Sequence, residues 1–308
     1  MSNKVIIACL AYMAASILGQ VPSTATEPPP AVVRQVDHII VHVDTVADAK
    51  ALWSLFSEKL YLPVAWLPAD YKGFFSGGVN VGNVNLEFVY SADESAPPQS
   101  TESALAKARF SGLGLEPEPL PRAVAELERL SVRHGQPDSY QNEDKTGKKL
   151  TLWTTVDLDD LSKNMDIFLC EYSPDLFRMN NPPRRDIEEN RRYLTDQLKQ
   201  QSGGPPGIES VKEVVIETSD YEGTVHLWEK LLSQKGRSSR GELHPVSGPA
   251  IRLTPSARNG IQSIVVRVAD LDRALRFLER SHLMGHDTKN GIAMDPARLM
   301  GIDVQLVQ

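Results

Sequence analysis

Apolar and polar positions alternate in a way that repeats along the chain. Val36-Asp37-His38-Ile39-Ile40-Val41-His42-Val43 is rich in β-branched residues and predicts a strand. From Ala47 to Leu60, the residues Ala49, Leu52, Trp53, Phe56 and Leu60 then fall at helical spacing. The same succession returns at Val211 to Thr218 followed by Tyr221 to Leu232. It returns again at Ile261 to Val268 followed by Asp270 to Leu283, where Leu271, Ala274, Leu275 and Leu278 make the stripe. A weaker copy starts at Ser111-Gly112-Leu113-Gly114-Leu115, where Pro117, Pro119 and Pro121 are expected to shorten the strand and start a helix over Arg122 to His134. Short strand candidates follow: Gly73 to Phe75, Val79 to Val81, Asn85 to Tyr90, Lys149 to Val156, Asp166 to Tyr172, Ala250 to Thr254 and Ile302 to Val307. The unit is β-α-β-β-β, four times over, which places the protein in the α+β class. One such unit leaves a sheet face bare, so units must pair and curl their sheets around a shared hollow. Two domains result, residues 35–180 and 208–308. They are joined by a connector, 181–207, with a charged helical stretch from Arg185 to Gln200.

The amino terminus reads differently. Met1 to Lys4 is a short basic start, Val5 to Leu18 is almost unbroken apolar sequence, and Ser23-Thr24-Ala25 supplies small residues for cleavage. Residues 1–25 are expected to be a signal peptide and 26–34 a flexible tether, so the protein is expected to be exported, to a periplasm or the exterior. The apolar run is shorter than the roughly 20 residues of a bilayer span, so no membrane association is expected after cleavage. The 308 residues carry 33 Lys and Arg against 40 Asp and Glu, with no basic stripe, which argues against nucleic acid as a partner. Of the two cysteines, Cys9 lies in the cleaved segment, leaving Cys170 without an internal partner.

The order of these elements resembles the vicinal oxygen chelate superfamily, the group of glyoxalases, bleomycin-resistance proteins and extradiol dioxygenases. The likeness rests on Val36-Asp37-His38-Ile39 opening a module, Asn85-Leu86-Glu87-Phe88 closing it, and Gly77-Gly78 and Gly82-Asn83 between. It implies four βαβββ modules paired into two cup-shaped domains, with a divalent metal at a cup floor held from the first and last strands of each module. Carried over by position, His38 and Glu87 are the ligands of module one and Glu171, in Phe168-Leu169-Cys170-Glu171-Tyr172, that of module two. The remaining position falls on Ser111 or Gly112, and strand alternation favours Gly112. Zinc, manganese, nickel or iron would suit such a nitrogen and oxygen set, with open positions for a substrate's oxygens. Glu171 or Glu87 could then leave the metal as a proton shuttle, and Glu171 is the expected catalytic residue. Two buried carboxylates without a cation are costly, which favours the metal. The sequence lacks the second histidine of extradiol iron sites. In the competing reading, His38 only hydrogen-bonds Glu87 or Glu171 in a metal-free hollow.

Asn83, Asn85, Trp153 and Tyr172 are further candidates for ligand contact, and His42 for the pocket wall or the metal's surroundings. At the equivalent positions of the second domain stand Glu213, Arg252, Ser263 and Gln305. A cation there repels a metal, so Arg252 is expected to pair with Glu213 or Glu217. The function expected first is an exported, metal-dependent enzyme of the lyase or isomerase kind acting on a small molecule, with a homodimer as an allowed assembly. Sequestration of a small molecule without metal or turnover is the alternative, ahead of a dioxygenase or an envelope interaction module.

Overall fold

The computed structural model describes residues 31–92, 106–143, 146–234 and 241–308. The segment read as a signal peptide, and the tether up to residue 30, lie outside them. Module one runs β1 (Val33–Val43), α1 (Val46–Ser54) with a π turn over Leu55–Lys59, β2 (Val64–Tyr71), β3 (Phe74–Asn80) and β4 (Asn85–Ser91). Module two runs β5 (Ala108–Pro117), α2 (Leu120–Leu130), β6 (Asp138–Glu143), β7 (Lys149–Asp157) and β8 (Asp166–Tyr172). The connector holds α3 (Pro174–Arg178) and α4 (Ile187–Gln200). Module three is β9 (Ile208–Thr218), α5 (Tyr221–Leu231), β10 (Glu242–Leu243) and β11 (Ala250–Pro255). Module four is β12 (Gly260–Val268), α6 (Leu271–Arg280), β13 (Met284–Thr288), β14 (Gly291–Met294) and β15 (Val304–Val307).

The first sheet has the order β2-β3-β4-β1-β5-β8-β7-β6 and the second β10-β11-β9-β12-β15-β14-β13. In each sheet the first strands of two modules pair antiparallel at the centre, and each pairs parallel with its own module's last strand. The paired-module α+β architecture expected from the repeats is therefore the observed one. Alternation sends Ile39, Val41, Leu113 and Leu115 to the helix-covered face, where they are fully buried.

Some boundaries differ from expectation. The two candidates expected over 73–75 and 79–81 merge into the one strand Phe74–Asn80, because Gly77 and Gly78 do not interrupt it; Gly78 instead lets the Trp66 indole lie on the backbone. β2 and β6 are the two outer strands of the first sheet, and the sequence pattern does not reveal them. β6 is Asp138-Ser139-Tyr140-Gln141-Asn142-Glu143 with only Tyr140 half-buried, so it has no apolar face to leave a period of two. The prolines do not shorten β5, which continues to Pro117 before Pro121 enters the first turn of α2. The packed chain also begins earlier than residue 35. Val32 and Val33 are fully buried, and the Val32 amide donates to the Leu231 carbonyl at 2.8 Å.

The two sheets share one hydrophobic core. The Asn83 side chain accepts from the Val211 amide and donates to its carbonyl, both at 2.9 Å, so it bonds β9 as a neighbouring strand would. On the other side, the amides of Lys107 and Ala108 both donate to the Met300 carbonyl at 2.9 Å. No described helix is long and apolar enough to cross a membrane.

Candidate ligand site in the first cup

The floor of the first cup is built on an irregularity of β1. Its pairing with β5 shifts register between Val36 and His38, and the consecutive side chains of Asp37 and His38 meet. His38 Nδ1 lies 2.9 Å from Asp37 Oδ2, and Tyr172 Oη donates to that same oxygen at 2.8 Å. Arg191 of α4 donates to Asp37 Oδ1 at 2.7 Å and lies 2.6 Å from Glu116 Oε2. On the other side of the ring, His38 Nε2 is 3.4 Å from Glu87 Oε2. Glu87 accepts from Ser76 Oγ at 2.6 Å, and Ser76 accepts from Trp66 Nε1 at 2.9 Å. One polar chain thus runs from the connector helix through His38 to β2.

Burial and charge set the protonation of this chain. Burial alone would lower the His38 pKa, but the Asp37 hydrogen bond and the charges of Glu87 and Asp37 outweigh it and raise it above 6.5. For Asp37, burial would raise the value, yet His38 and Arg191 hold it well below the usual carboxylate range. Tyr172 is pushed well above 10, by burial first and by the Asp37 charge second. A histidine whose pKa is raised on folding adds stability that is complete below the unfolded value of about 6.5 and is lost as pH rises through the folded value. An NMR titration of the imidazole is therefore expected to place His38 above His42, whose pKa is lowered by burial and by Arg109. The reverse order would contradict this account.

Glu171 is not part of this floor. Along β8, Phe168, Cys170 and Tyr172 face the cup, whereas Ile167, Leu169 and Glu171 face the helices. Glu171 Oε1 accepts the Leu120 amide at 2.8 Å and so caps the first turn of α2. The expectation that Glu171 joins His38 and Glu87 is therefore not met, because alternation along the strand puts its side chain on the face away from the cup. Glu171→Ala is expected to cost about 1 kcal/mol of stability in urea unfolding and to leave the cup's ligand binding unchanged. The first-strand position also moves: His38 pairs with Gly114, and Gly112 pairs with Ile40. The His38 imidazole lies directly on Gly114, and the Phe168 ring centroid is 5.6 Å from it. Among the described residues no three His, Cys, Asp or Glu side chains come together to hold a metal ion. His38 and Glu87 remain as two donors where the resemblance implied three, with a glycine and a phenylalanine beside them. This set does not fit the expected metal.

The rim adds Tyr71, Phe74 and Tyr140 to the expected Trp153. The Tyr140 and Trp153 rings stack at 4.2 Å between centroids and 3° between planes. Tyr71 stacks on Phe74 at 5.1 Å and meets both Tyr140 and Trp153 edge-on at 5.9 Å. Tyr71 and Tyr140 come from β2 and β6, so these aromatics join the outer strands of the curled sheet. The Tyr71 phenol is raised by burial and by the charge of Glu87, which ties the rim to the floor. Trp153 and Tyr172 do face the cup. Asn83 is spent on the domain seam, Asn85 accepts from Asn80 at 2.9 Å, and His42 is a half-buried neighbour of Arg109 rather than of His38. Asp37 was missed although it stands beside His38 in the sequence, and Arg191 was missed because only the folded chain brings the connector to the floor.

The second cup pairs Arg252 Nε with Glu213 Oε2 at 3.0 Å. Val215, Val265 and Val307 form a small apolar cluster of their own on its concave side.

No protein-family model matches the sequence, and no curated protein matches it. Solved structures do. A hypothetical protein from Staphylococcus aureus is similar with a TM-score of 0.54 at 11% identity, over 88% of this chain and 98% of that one. A variant of homoprotocatechuate 2,3-dioxygenase from B. fuscum is similar with a TM-score of 0.51 at 11% identity, over 92% of this chain and 73% of that one. A further variant of that enzyme in complex with HPCA gives 0.50 at 11% identity, over 92% of this chain and 73% of that one. At such identity the likeness is one of fold: two curled sheets of paired modules, built in the manner of vicinal oxygen chelate proteins and of an extradiol dioxygenase.

Proposed function

We propose that the first cup binds a small planar molecule without a metal, and that His38 and Glu87 are the groups that hydrogen-bond it. The observation that carries this reading is the position of Glu171: with that carboxylate on the helix side, the floor offers a histidine and one glutamate under an aromatic rim. Asp37 fixes His38 Nδ1, so Nε2 is the nitrogen presented towards Glu87. Ser76 and Trp66 fix Glu87 in turn. A ligand sitting between Trp153, Tyr71 and the floor would meet one proton donor and one acceptor within reach of each other, which suits proton transfer of the lyase or isomerase kind as well as plain sequestration. The basic and apolar start of the chain supports a role outside the cytoplasm.

The test uses the purified full chain after EDTA treatment and catechol as probe, followed by tryptophan fluorescence. Saturable quenching is expected to survive EDTA, and Trp153→Ala is expected to weaken it roughly tenfold or more, since each 1.4 kcal/mol of lost stacking is a factor of ten. Stoichiometric zinc, manganese, nickel or iron that is lost in both His38→Ala and Glu87→Ala would overturn the metal-free reading. A wild type unresponsive to catechol would overturn the planar ligand.

A further inference from the structure

A cavity of about 410 Å³, open to solvent, lies away from both cups, between the π turn after α1 and the connector. Tyr61 and its following loop form one wall, and Asn181, Arg184, Tyr193, Gln197 and Gln201 form the other. Tyr193, Gln197 and Gln201 are spaced four apart, so the connector helix turns one face to the cavity. Its size falls in the range of small-molecule sites.

Three observations say what would occupy it. Arg184 is the one charged residue of the lining, and no acidic side chain lines it. The guanidinium lies over the Tyr193 ring at 3.9 Å, yet Arg184 Nε is buried without a hydrogen-bond partner. No ion pair to Arg184 forms among the described residues. Nε is closed off from solvent, so a carboxylate in the cavity would meet the half-buried guanidinium through its Nη groups. Second, Gln197 Nε2 donates to Tyr193 Oη at 2.8 Å, which steadies the ring under the cation. Third, Tyr61 has a φ of 62° and is 56% exposed at the cavity edge. That left-handed conformation follows a π turn closed by the Leu60 amide on the Leu55 carbonyl at 3.0 Å, a place where glycine is the ordinary choice. Ser131, Ser202, Ser233 and His282 take the same conformation after other helices, so the backbone here is this chain's usual helix ending, and what sets Tyr61 apart is a large exposed ring at the cavity edge.

We propose that this cavity binds a small carboxylate with an aromatic or unsaturated body: Arg184 takes the carboxylate, and Tyr61 with Val64 covers the ring. The connector would then carry a ligand site of its own, independent of the first cup.

Benzoate is the probe, with isothermal titration on the full chain. A saturable site that is lost in Arg184→Met and kept in Trp153→Ala is expected, whereas benzoate held in the first cup would be lost in Trp153→Ala. Arg184→Met keeps the stem over Tyr193 and removes the charge, and is expected to weaken benzoate about tenfold or more. Tyr61→Gly relieves the backbone, so it is expected to raise the melting temperature while weakening benzoate; a purely structural Tyr61 would not weaken it. This second variant also decides the matter if Arg184→Met does not fold. No benzoate binding to the wild type, binding unaffected by both substitutions, or equal binding of benzylamine would each overturn the proposal.

Discussion

Replacing Arg191 by Met is expected to destabilise the protein by about 3–5 kcal/mol, the usual consequence of removing one partner from a buried ion pair. Arg191 is the cation that serves both Asp37 and Glu116, and the Asp37 side chain is 1% exposed. The two carboxylates do not gain equally. The Glu116 pKa is raised, because its burial outweighs the attraction of Arg191, whereas that of Asp37 is held low. The stabilising partner is therefore Asp37. A carboxylate with a depressed folded pKa contributes stability that is present above its unfolded value of about 3.9 and is lost as pH falls through the folded value. In Arg191→Met that acid dependence should shrink along with the midpoint of urea unfolding at pH 7. An Asp37→Asn, Arg191→Met double variant should recover part of the loss, because the Asp37 charge is then removed together with its cation, while Glu116 keeps Arg34 at 3.3 Å. A single-variant cost below about 1 kcal/mol, the level of exposed pairs, would show that water reaches these groups in solution.

Gly114→Ala is the second large effect. A Cβ at that position would fall within the His38 imidazole, which cannot retreat easily because Asp37 and Tyr172 hold one side and Glu87 the other. Inserting the methyl should cost about 1–3 kcal/mol, as overpacking of a filled interior does. It should also displace the ring from its anchor. The His38 pKa is then expected to fall towards 6.5, and catechol quenching to weaken. An alanine variant with an unchanged His38 titration would mean that β5 itself has moved away.

Much of this was written in the chain. The fourfold succession of strand and amphipathic helix was legible because a central strand with one face against helices must alternate Ile39, Val41, Leu113 and Leu115 with other residues. His38 and Glu87 were legible only through the resemblance of the first module to vicinal oxygen chelate modules, which marks those positions on its first and last strands. Glu171 was misplaced because Phe168, Cys170 and Tyr172 are themselves bulky or apolar, and so they mimic a core-facing set while lining the cup. The outer strands were hidden because Tyr71, Tyr140 and Trp153 act through one another across the sheet's ends rather than through a local period. The π turn that leaves Tyr61 strained has no signature at all in residue spacing.

The seam between the sheets has a bearing on how the molecule comes apart. Asn83 completes the bonding of β9, Val32 is tied to Leu231, and the buried residues of both halves form one continuous interior. Neither half carries a finished surface on that side. Melting is therefore expected to be a single concerted event, and a protease that nicks the connector is expected to free no lasting half-molecule, only a chain that has lost its counterpart.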